Sequence, residues 1–385
     1  MTLKLLEPQN QGKGNLFFMP GVDVSRFFLT SAATIEDAIT AIDRSGRVSL
    51  ALMVDGHHRL INTISDGDVR RGLLAGLRLT DPAEKLLPIK AQTPYPAPIS
   101  ARAGTDSATL LGLMQARSVR QIPLLDSSGR VVDIALLRDL LPSATETFRA
   151  VVMAGGQGSR LRPLTVALPK PMLLVGGRPV MERIIDQLRA VGVSQVEITT
   201  HHNADKIVEH FGGGEAFGVK ISYVNEESPL GTAGFLGLIE RPQEPLLVIN
   251  GDIVTQMNFR KMFAYHREQN AEMTVAVRRY DFQVPYGVVE CGGSRVTRLE
   301  EKPMIEFFVN AGIYLIEPSV FNVVQPRQHL NMTELIQKLL ACGRPVASFP
   351  VCEYWLDIGQ LADYERAQTD AANGILDPIP RTEVS

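Results

Sequence analysis

A glycine-rich segment followed by cations is the part of the sequence best suited to chemistry. Residues 151–173 are VVMAGGQGSRLRPLTVALPKPML, in which an apolar run ends at Gly155 and Gly156 and is followed by Arg160 and Lys170. Glycines let backbone N–H groups come close to a polyphosphate, and successive N–H groups form a concave anion site. The segment therefore predicts a phosphate-binding loop at the end of a strand.

Two carboxylates could add a metal ion to such a loop. Asp252 follows the apolar run LLVING, and Asp357 stands in YWLDIG two residues before Gly359. Mg²⁺ is usually bound by one or two carboxylates, with substrate phosphates and water as its other ligands. An aspartate after a strand is also a common turn residue, so these two residues alone leave both roles open.

Two common phosphate loops do not fit the segment. The dinucleotide pattern GxGxxG needs a third glycine, but Leu161 stands at that position after Gly156 and Gly158. The P-loop needs Gly-Lys-Ser/Thr, and the chain has Gly158-Ser159-Arg160 instead. The phosphate site must therefore belong to another class.

Composition limits the partners and the compartment. The chain has 385 residues and a net charge of −3, which argues against a sequence-independent nucleic-acid binder. Its three cysteines show no ligand spacing, and neither a signal peptide nor a membrane span is apparent, so we expect a cytoplasmic protein. We interpret the histidine pairs His57-His58 and His201-His202 as surface or loop residues, because no Cys/His neighbours supply metal-ligand spacing.

Alternating apolar strands and amphipathic helices should position the motifs of the second half. This alternation predicts a largely parallel sheet covered on both faces, whose ligands bind at the carboxyl ends of the strands. The predicted strands are 151–153, 196–199, 221–224 and 246–249, and the predicted helices are 182–191 and 204–211.

An internal repeat occupies the first half. Asp55 overlays Asp126 and Asp68 overlays Asp139 with the same offset of 71 residues, and a helical pattern precedes each copy. Thr34 and Asp37 have the spacing of a capping box, and the proline-rich residues 89–100 are predicted to connect the copies.

The repeat resembles a tandem pair of CBS domains over residues 25–145, with copies at about 25–82 and 96–145. The resemblance implies β-α-β-β-α modules and a regulatory adenine nucleotide whose ribose binds Ser65 and Asp68. In the second copy Leu136 replaces the hydroxyl while Asp139 is retained, so we expect at most one such nucleotide. Helix capping by Asp68 and Asp139 is the alternative.

The glycine-rich segment resembles the signature of the sugar-1-phosphate nucleotidylyltransferases, GGxGxRLxPLT followed by PKP. The matching residues are Gly155, Gly156, Gly158, Arg160, Leu161, Pro163, Leu164, Thr165, Pro169, Lys170 and Pro171. The resemblance implies a Rossmann-like α/β/α domain with a mostly parallel mixed sheet over residues 149–373, followed by a polar tail, 374–385. The architecture resembles CBS-fused glucosamine-1-phosphate guanylyltransferases, and the second half also resembles mannose-1-phosphate guanylyltransferases.

The resemblance also implies a reaction and a set of roles. An NTP and a sugar 1-phosphate would give an NDP-sugar and pyrophosphate, for glycan or nonulosonic-acid biosynthesis. We also expect a homo-oligomer. Arg160, Lys170, Asp252 and Asp357 would be catalytic, the two aspartates as Mg²⁺ ligands. The nucleotide would contact Ala154, Gly155, Gly156, Gly158, Pro229, Gly231 and Thr232, and the sugar would contact Gly287, Glu301, Lys302, Asn310 and Gly312.

The base would be read beside the segment VNEESPLGTAG, which is most similar to guanylyltransferases. Guanine presents two donors, N1–H and N2–H₂, on one edge, and an ionised carboxylate can accept both. Glu226 or Glu227 could therefore select GTP. Uridylyl, thymidylyl and cytidylyl transfer are the alternatives within the class. A nucleotide-sensing binding protein with a vestigial transferase half is the alternative of another class.

Overall fold

The computed structural model describes residues 23–43, 48–140, 148–156, 158–201, 204–226 and 228–376. The chain divides into two compact units, Met1–Ala144 and Thr145–Ser385. The predicted polar tail begins at residue 374, yet Leu376 is buried against the core of the second unit. The rest of that tail, residues 377–385, lies outside the described residues.

The first unit contains the same β-α-β-β-α order twice. In each copy the first two strands are parallel and the last two are antiparallel, which gives two three-stranded sheets. The elements are β1 (Phe28–Leu29), α1 (Ile35–Asp43), β2 (Leu50–Val54), β3 (Leu60–Ser65), α2 (Asp66–Leu74), α3 (Leu86–Lys90), β4 (Ala101–Arg102), α4 (Ser107–Ala116), β5 (Gln121–Leu125), β6 (Val131–Leu136) and α5 (Leu137–Leu140).

Local sequence explains the start of α1 but not the end of α3. The Thr34 amide donates to Asp37 Oδ2 at 2.8 Å and the Asp37 amide donates to Thr34 Oγ1 at 3.2 Å, which confirms the predicted capping box. Helix α3 runs to Lys90, two residues into the predicted connector. Lys90 is buried and its ammonium lies 3.3 Å from Asp68, so a tertiary ion pair favours helix there.

The second unit is built on a seven-stranded sheet. Its elements are β7 (Phe148–Met153), β8 (Leu174–Val175), β9 (Arg178–Pro179), α6 (Val180–Ala190), β10 (Val193–Thr200), α7 (Ala204–Phe211), β11 (Lys220–Asn225), α8 (Gly231–Gly234), β12 (Leu246–Asn250), β13 (Ile253–Thr255), α9 (Phe259–Glu268), β14 (Met273–Gln283), β15 (Val288–Gly292), β16 (Arg295–Glu300), β17 (Met304–Ile316), α10 (Met332–Ala341), β18 (Val346–Pro350), β19 (Trp355–Asp357) and α11 (Leu361–Ala372).

The strand order is β11-β10-β7-β12-β17-β14-β18, and β17 alone among these seven runs against the others. The predicted mixed, mostly parallel α/β sheet is therefore present. Val151 and Val248 pack into one buried cluster, whereas Val152 and Ile249 pack into another. Because neighbouring residues of a strand point to opposite faces, the two clusters cover the two faces of the sheet.

The predicted sugar residues of β17 lie inside the strand and not at its start. Asn310 pairs with Val277 and Tyr314 pairs with Val275, so the register of β14 and β17 shifts between them. Gly312 has a φ of +70° in this irregular stretch, which a residue with a side chain rarely adopts. Asn310 and Gly312 lie mid-strand because β17 already pairs with β14 from Met304 onwards.

A long hairpin, residues 280–308, extends from this sheet. It contains the outer part of β14, the paired strands β15 and β16, and the outer part of β17. None of its 29 residues is buried. We call residues 280–308 the arm.

In the part of the chain that the structure describes, no helix has the length and apolar character needed to cross a membrane.

Candidate active site

Four parallel strands end together at one edge of the sheet of the second unit. The register joins Met153 of β7 to Thr199 of β10 and to Asn250 of β12, while Thr200 of β10 pairs with Asn225 of β11. The glycine-rich loop, Glu226 and Asp252 each follow one of these strand ends. The glycine-rich loop, Glu226 and Asp252 are therefore brought to the edge where ligands of such sheets bind.

Lys170 and the two predicted metal ligands form one charged cluster. The Lys170 ammonium makes an ion pair with Asp252 Oδ2 and lies 3.7 Å from Asp357 Oδ1. Strands β13 and β19 pair with Ile253 opposite Asp357, which brings together two carboxylates that are far apart in the sequence.

The cluster is suited to a cation. Asp252 Oδ1 is buried and has no hydrogen-bond partner among the described residues. Desolvation and the nearby Asp252 carboxylate raise the pKa of Asp357, although Lys170 opposes this shift. A divalent cation would satisfy the free oxygen and reduce the repulsion, so the donor set fits Mg²⁺.

The glycine-rich loop is held by the threonine of its own signature. Gly158 has a φ of +61°, and its carbonyl accepts a hydrogen bond of 2.7 Å from the Thr165 hydroxyl. A Cβ at Gly158 would lie 2.9 Å from Thr165, so a side chain there would push the two apart. The buried Ala154 anchors the start of the loop by donating from its amide to Thr199 at 3.0 Å. Arg160 lies exposed just beyond the loop.

Glu226 lies beside the loop, and one of its two carboxylate oxygens already accepts a hydrogen bond from the backbone. Its Oε2 accepts from the Leu230 amide at 3.0 Å, and its Oε1 lies 4.0 Å from where a Cβ on Gly155 would be. The other candidate for guanine recognition, Glu227, lies outside the described residues. Glu226 therefore lies close to the predicted phosphate loop.

The segment after Glu226 has structural contacts of its own. The Thr232 hydroxyl accepts from the Met332 amide at 2.7 Å, and a Cβ on Gly231 would lie 2.7 Å from the Leu330 carbonyl. These two predicted nucleotide residues thus pack against the start of α10. Pro229 is exposed.

The predicted sugar residues of the arm are close to one another. A Cβ on Gly287 would lie 2.9 Å from Glu301 Oε2, so a glycine permits the close approach of this carboxylate. Lys302 adopts a φ of +47°, which is uncommon for a residue with a side chain. On β17, the Asn310 side chain accepts from the Gly312 amide at 2.9 Å.

The sequence profile of the nucleotidyl transferase family matches residues 149–374, more than half of the chain. The chain belongs to the nucleotidyl transferase family. A mannose-1-phosphate guanyltransferase of Yarrowia lipolytica is 33% identical over 226 residues, and a probable mannose-1-phosphate guanylyltransferase 1 of Oryza sativa subsp. japonica is 32% identical over 226 residues. Each alignment covers 56% of this chain and 62% of the relative.

The chain thus spans less than two thirds of the length of the relatives that it matches. Among solved structures, HddC from Yersinia pseudotuberculosis is similar with 23% identity and a TM-score of 0.46, covering 58% of this chain and 99% of that one.

In the first unit of the nucleotidyl transferase, Ser65 and Asp68 bind each other. The Ser65 hydroxyl donates to Asp68 Oδ2 at 2.8 Å and accepts from the Asp68 amide, which caps α2. Burial alone would raise the pKa of Asp68, but Lys90, the Ser65 amide and Arg71 outweigh it and lower the pKa. Asp139 of the second copy lies exposed on α5.

Sequence reasoning missed one residue that lies beside the glycine-rich loop. His201 follows β10, is half-buried, and lies 3.6 Å from the position of a Cβ on Gly155. Its Nδ1 is 2.8 Å from the Glu226 carbonyl oxygen, which can only accept, so Nδ1 donates. Its position two residues after the predicted strand 196–199 was the signal that could have distinguished it from the exposed pair His57-His58.

Proposed function

We propose that this chain transfers a nucleotidyl group from an NTP, preferably GTP, to a sugar 1-phosphate. The observation that carries the proposal is the cluster of Lys170, Asp252 and Asp357 at the strand ends, beside the glycine-rich loop. The family membership and the guanylyltransferase relatives support the same reaction. Glucosamine 1-phosphate and mannose 1-phosphate are the sugar substrates to test first, in glycan or nonulosonic-acid biosynthesis.

The reaction needs no side-chain nucleophile. A phosphate oxygen of the sugar 1-phosphate forms a bond to the α-phosphorus while the bond from that phosphorus to the oxygen bridging the α- and β-phosphates breaks, and that oxygen leaves with pyrophosphate. Catalysis then consists of alignment and charge stabilisation. Arg160 would stabilise the leaving pyrophosphate and Lys170 would orient the sugar phosphate. Asp252 and Asp357 would hold Mg²⁺, which neutralises phosphate charge when bound.

Guanine selection is assigned to a carboxylate at the end of β11. Glu226 Oε2 accepts one backbone amide, which leaves Oε1 and further lone pairs for the two guanine donors. Uracil and thymine carry a single ring N–H flanked by carbonyl acceptors, which a carboxylate would repel. Glu227 remains the second candidate.

Pyrophosphate release from each of four NTPs, with glucosamine, N-acetylglucosamine, mannose and heptose 1-phosphates, tests the proposal. We expect GTP to be preferred and Glu226→Gln to erode the preference over UTP by about 1–3 kcal/mol, with Glu227→Gln as the matched comparison. A preference for UTP, dTTP or CTP would mean that the enzyme transfers a uridylyl, thymidylyl or cytidylyl group instead. No pyrophosphate from any pair would favour a nucleotide-sensing protein with a vestigial transferase unit.

We further propose that the first unit is a CBS pair that binds an adenine nucleotide at its first copy. The two β-α-β-β-α copies with matching sheets support the domain assignment. The ribose would have to compete with the capping box and with Lys90 for Asp68. Calorimetry with AMP, ADP and ATP should detect one site per chain that Asp68→Ala abolishes and Asp139→Ala retains. Absence of binding at millimolar nucleotide would leave Asp68 with a capping role alone.

The described cysteines are free thiols, and we propose a cytoplasmic location on that basis.

A further inference from the structure

The inner part of the arm has one apolar face and an opposite face on which ionic and exposed apolar side chains are mixed. Tyr280 pairs with Phe307, and Phe282 pairs with Ile305, so these four side chains share one face of the β14–β17 ribbon. The Tyr280 and Phe307 rings lie 5.5 Å apart. The opposite face contains an ion pair between Arg279 and Glu306.

The outer part of the arm has the same pattern. Val289 pairs with Leu299, and beyond a bulge Cys291 pairs with Val296. On the opposite face, Arg298 lies 3.3 Å from Glu290 and 2.7 Å from Glu300. Each ribbon of the arm therefore contains ion pairs on one face and exposes apolar residues on the other.

We define the apolar faces of the arm as Tyr280, Phe282, Val289, Val296, Leu299, Ile305 and Phe307. Their exposed fractions range from 43% for Phe307 to 66% for Leu299. At side-chain areas of about 150–250 Å² for the aromatic residues and somewhat less for the others, they expose on the order of 600 Å² per chain. Soluble monomers rarely expose contiguous apolar patches larger than a few hundred Å², and a two-stranded hairpin alone is marginally stable.

We propose that the arm packs through its apolar faces against a second copy of this chain. A surface without charges can face its own copy across a two-fold axis without like-charge repulsion. The area is comparable with the ~800 Å² per partner of a stable interface. A charged partner would find few complementary groups, because Arg279 and Arg298 are already paired with glutamates of the arm.

This interface would also fix the loops that hold Gly287 and Glu301, because these residues lie between the inner and outer ribbons of the arm. That consequence rests on the proposed function, whereas the interface itself does not. The experiment therefore measures association and contact rather than activity.

The test places the photo-cross-linker p-benzoylphenylalanine at Phe282 of the full chain, in a mixture of unlabelled and ¹⁵N-labelled protein. We expect cross-linked peptides of mixed isotope mass, with the second peptide from the arm. Leu299→Glu should weaken association by roughly 30-fold or more in sedimentation and reduce the cross-link between chains. Leu340→Glu is the matched control, since Leu340 is 58% exposed on α10 outside the arm, and it should change neither measurement.

A cross-linked peptide of mixed isotope mass distinguishes association through the arm from association through the first unit. Only contacts between the arms of two chains produce this peptide. A full chain that sediments as a monomer at micromolar concentration would overturn the proposal. Cross-links confined to single chains would overturn it as well, since they would mean that the same chain covers the arm. Equal effects of Leu299→Glu and Leu340→Glu would also count against it.

Discussion

At the scale of single residues, the spacing of the glycine-rich signature has a local cause. Thr165 is seven residues after Gly158 and its hydroxyl donates to the Gly158 carbonyl, at a point where the backbone adopts a positive φ. The hydroxyl thus holds the loop whose N–H groups would contact phosphate. The sequence predicted the loop but not this tether.

Removing the tether should loosen the loop without removing a phosphate ligand. We expect Thr165→Val to lower kcat/KM for the NTP by roughly tenfold, because a hydrogen bond of about 1 kcal/mol is lost where positioning matters. Thr165→Ser retains a hydroxyl and should recover most of the activity. Steady-state kinetics of the two variants would reject the idea if they were equally impaired.

A second residue-scale prediction concerns the free oxygen of Asp252. Asp252→Asn removes charge from a site suited to a divalent cation, so Mg²⁺ binding measured by calorimetry in the presence of GTP should weaken more than tenfold. Glu365→Gln, at an exposed carboxylate of α11, is the control and should bind Mg²⁺ normally. Undiminished Mg²⁺ affinity in Asp252→Asn would remove this residue from the metal site.

At the scale of elements, the sequence predicted those helices and strands whose limits depend on neighbouring residues in the chain. Helix α7 runs over the predicted residues 204–211, and each of the four strands around the site ends at, or one residue after, the end of its predicted run. Long-range contacts explain the differences: Lys90 extends α3 because it pairs with Asp68, and Thr232 binds Met332, one hundred residues away. No local pattern in the sequence contains these partners.

The packing of α9 against the sheet gives a pH-dependent prediction. His266 is buried, with Nδ1 2.7 Å from the Thr274 hydroxyl and Nε2 3.1 Å from Glu317. Burial lowers the pKa of His266, while Glu317 opposes the shift. The unfolded chain therefore binds a proton at higher pH than the folded chain does. This contribution to stability is complete above the unfolded pKa of about 6.5 and is lost as the pH falls toward the lower folded value.

Urea unfolding of the second unit between pH 5 and 8 measures this dependence. The wild type should lose stability below about pH 6.5, and His266→Gln should show a smaller slope. His210→Gln, at a partly exposed histidine of α7, should retain the wild-type slope. Identical slopes in all three proteins would assign the pH dependence to other groups.

At the scale of the whole molecule, each unit has a hydrophobic core of its own. The first unit contains three buried clusters and the second contains two. We expect scanning calorimetry to resolve two transitions. GTP with Mg²⁺ at 100 times its Kd should stabilise the second unit by about 2.7 kcal/mol and leave the transition of the first unit in place. A single transition shifted as a whole would show that the units unfold together.

The order of strands in the second unit has a consequence for synthesis on the ribosome. The described elements of the first unit end at Leu140, but β18 and β19 complete the second unit only near Pro350 and Asp357. At about 5–20 residues per second, the first unit has some 10–40 s to fold before Asp357 is made. Until then the nascent second unit has Asp252 without its partner carboxylate and β14 with an open edge. A pause in translation over this interval would prolong the exposure of that edge to other chains.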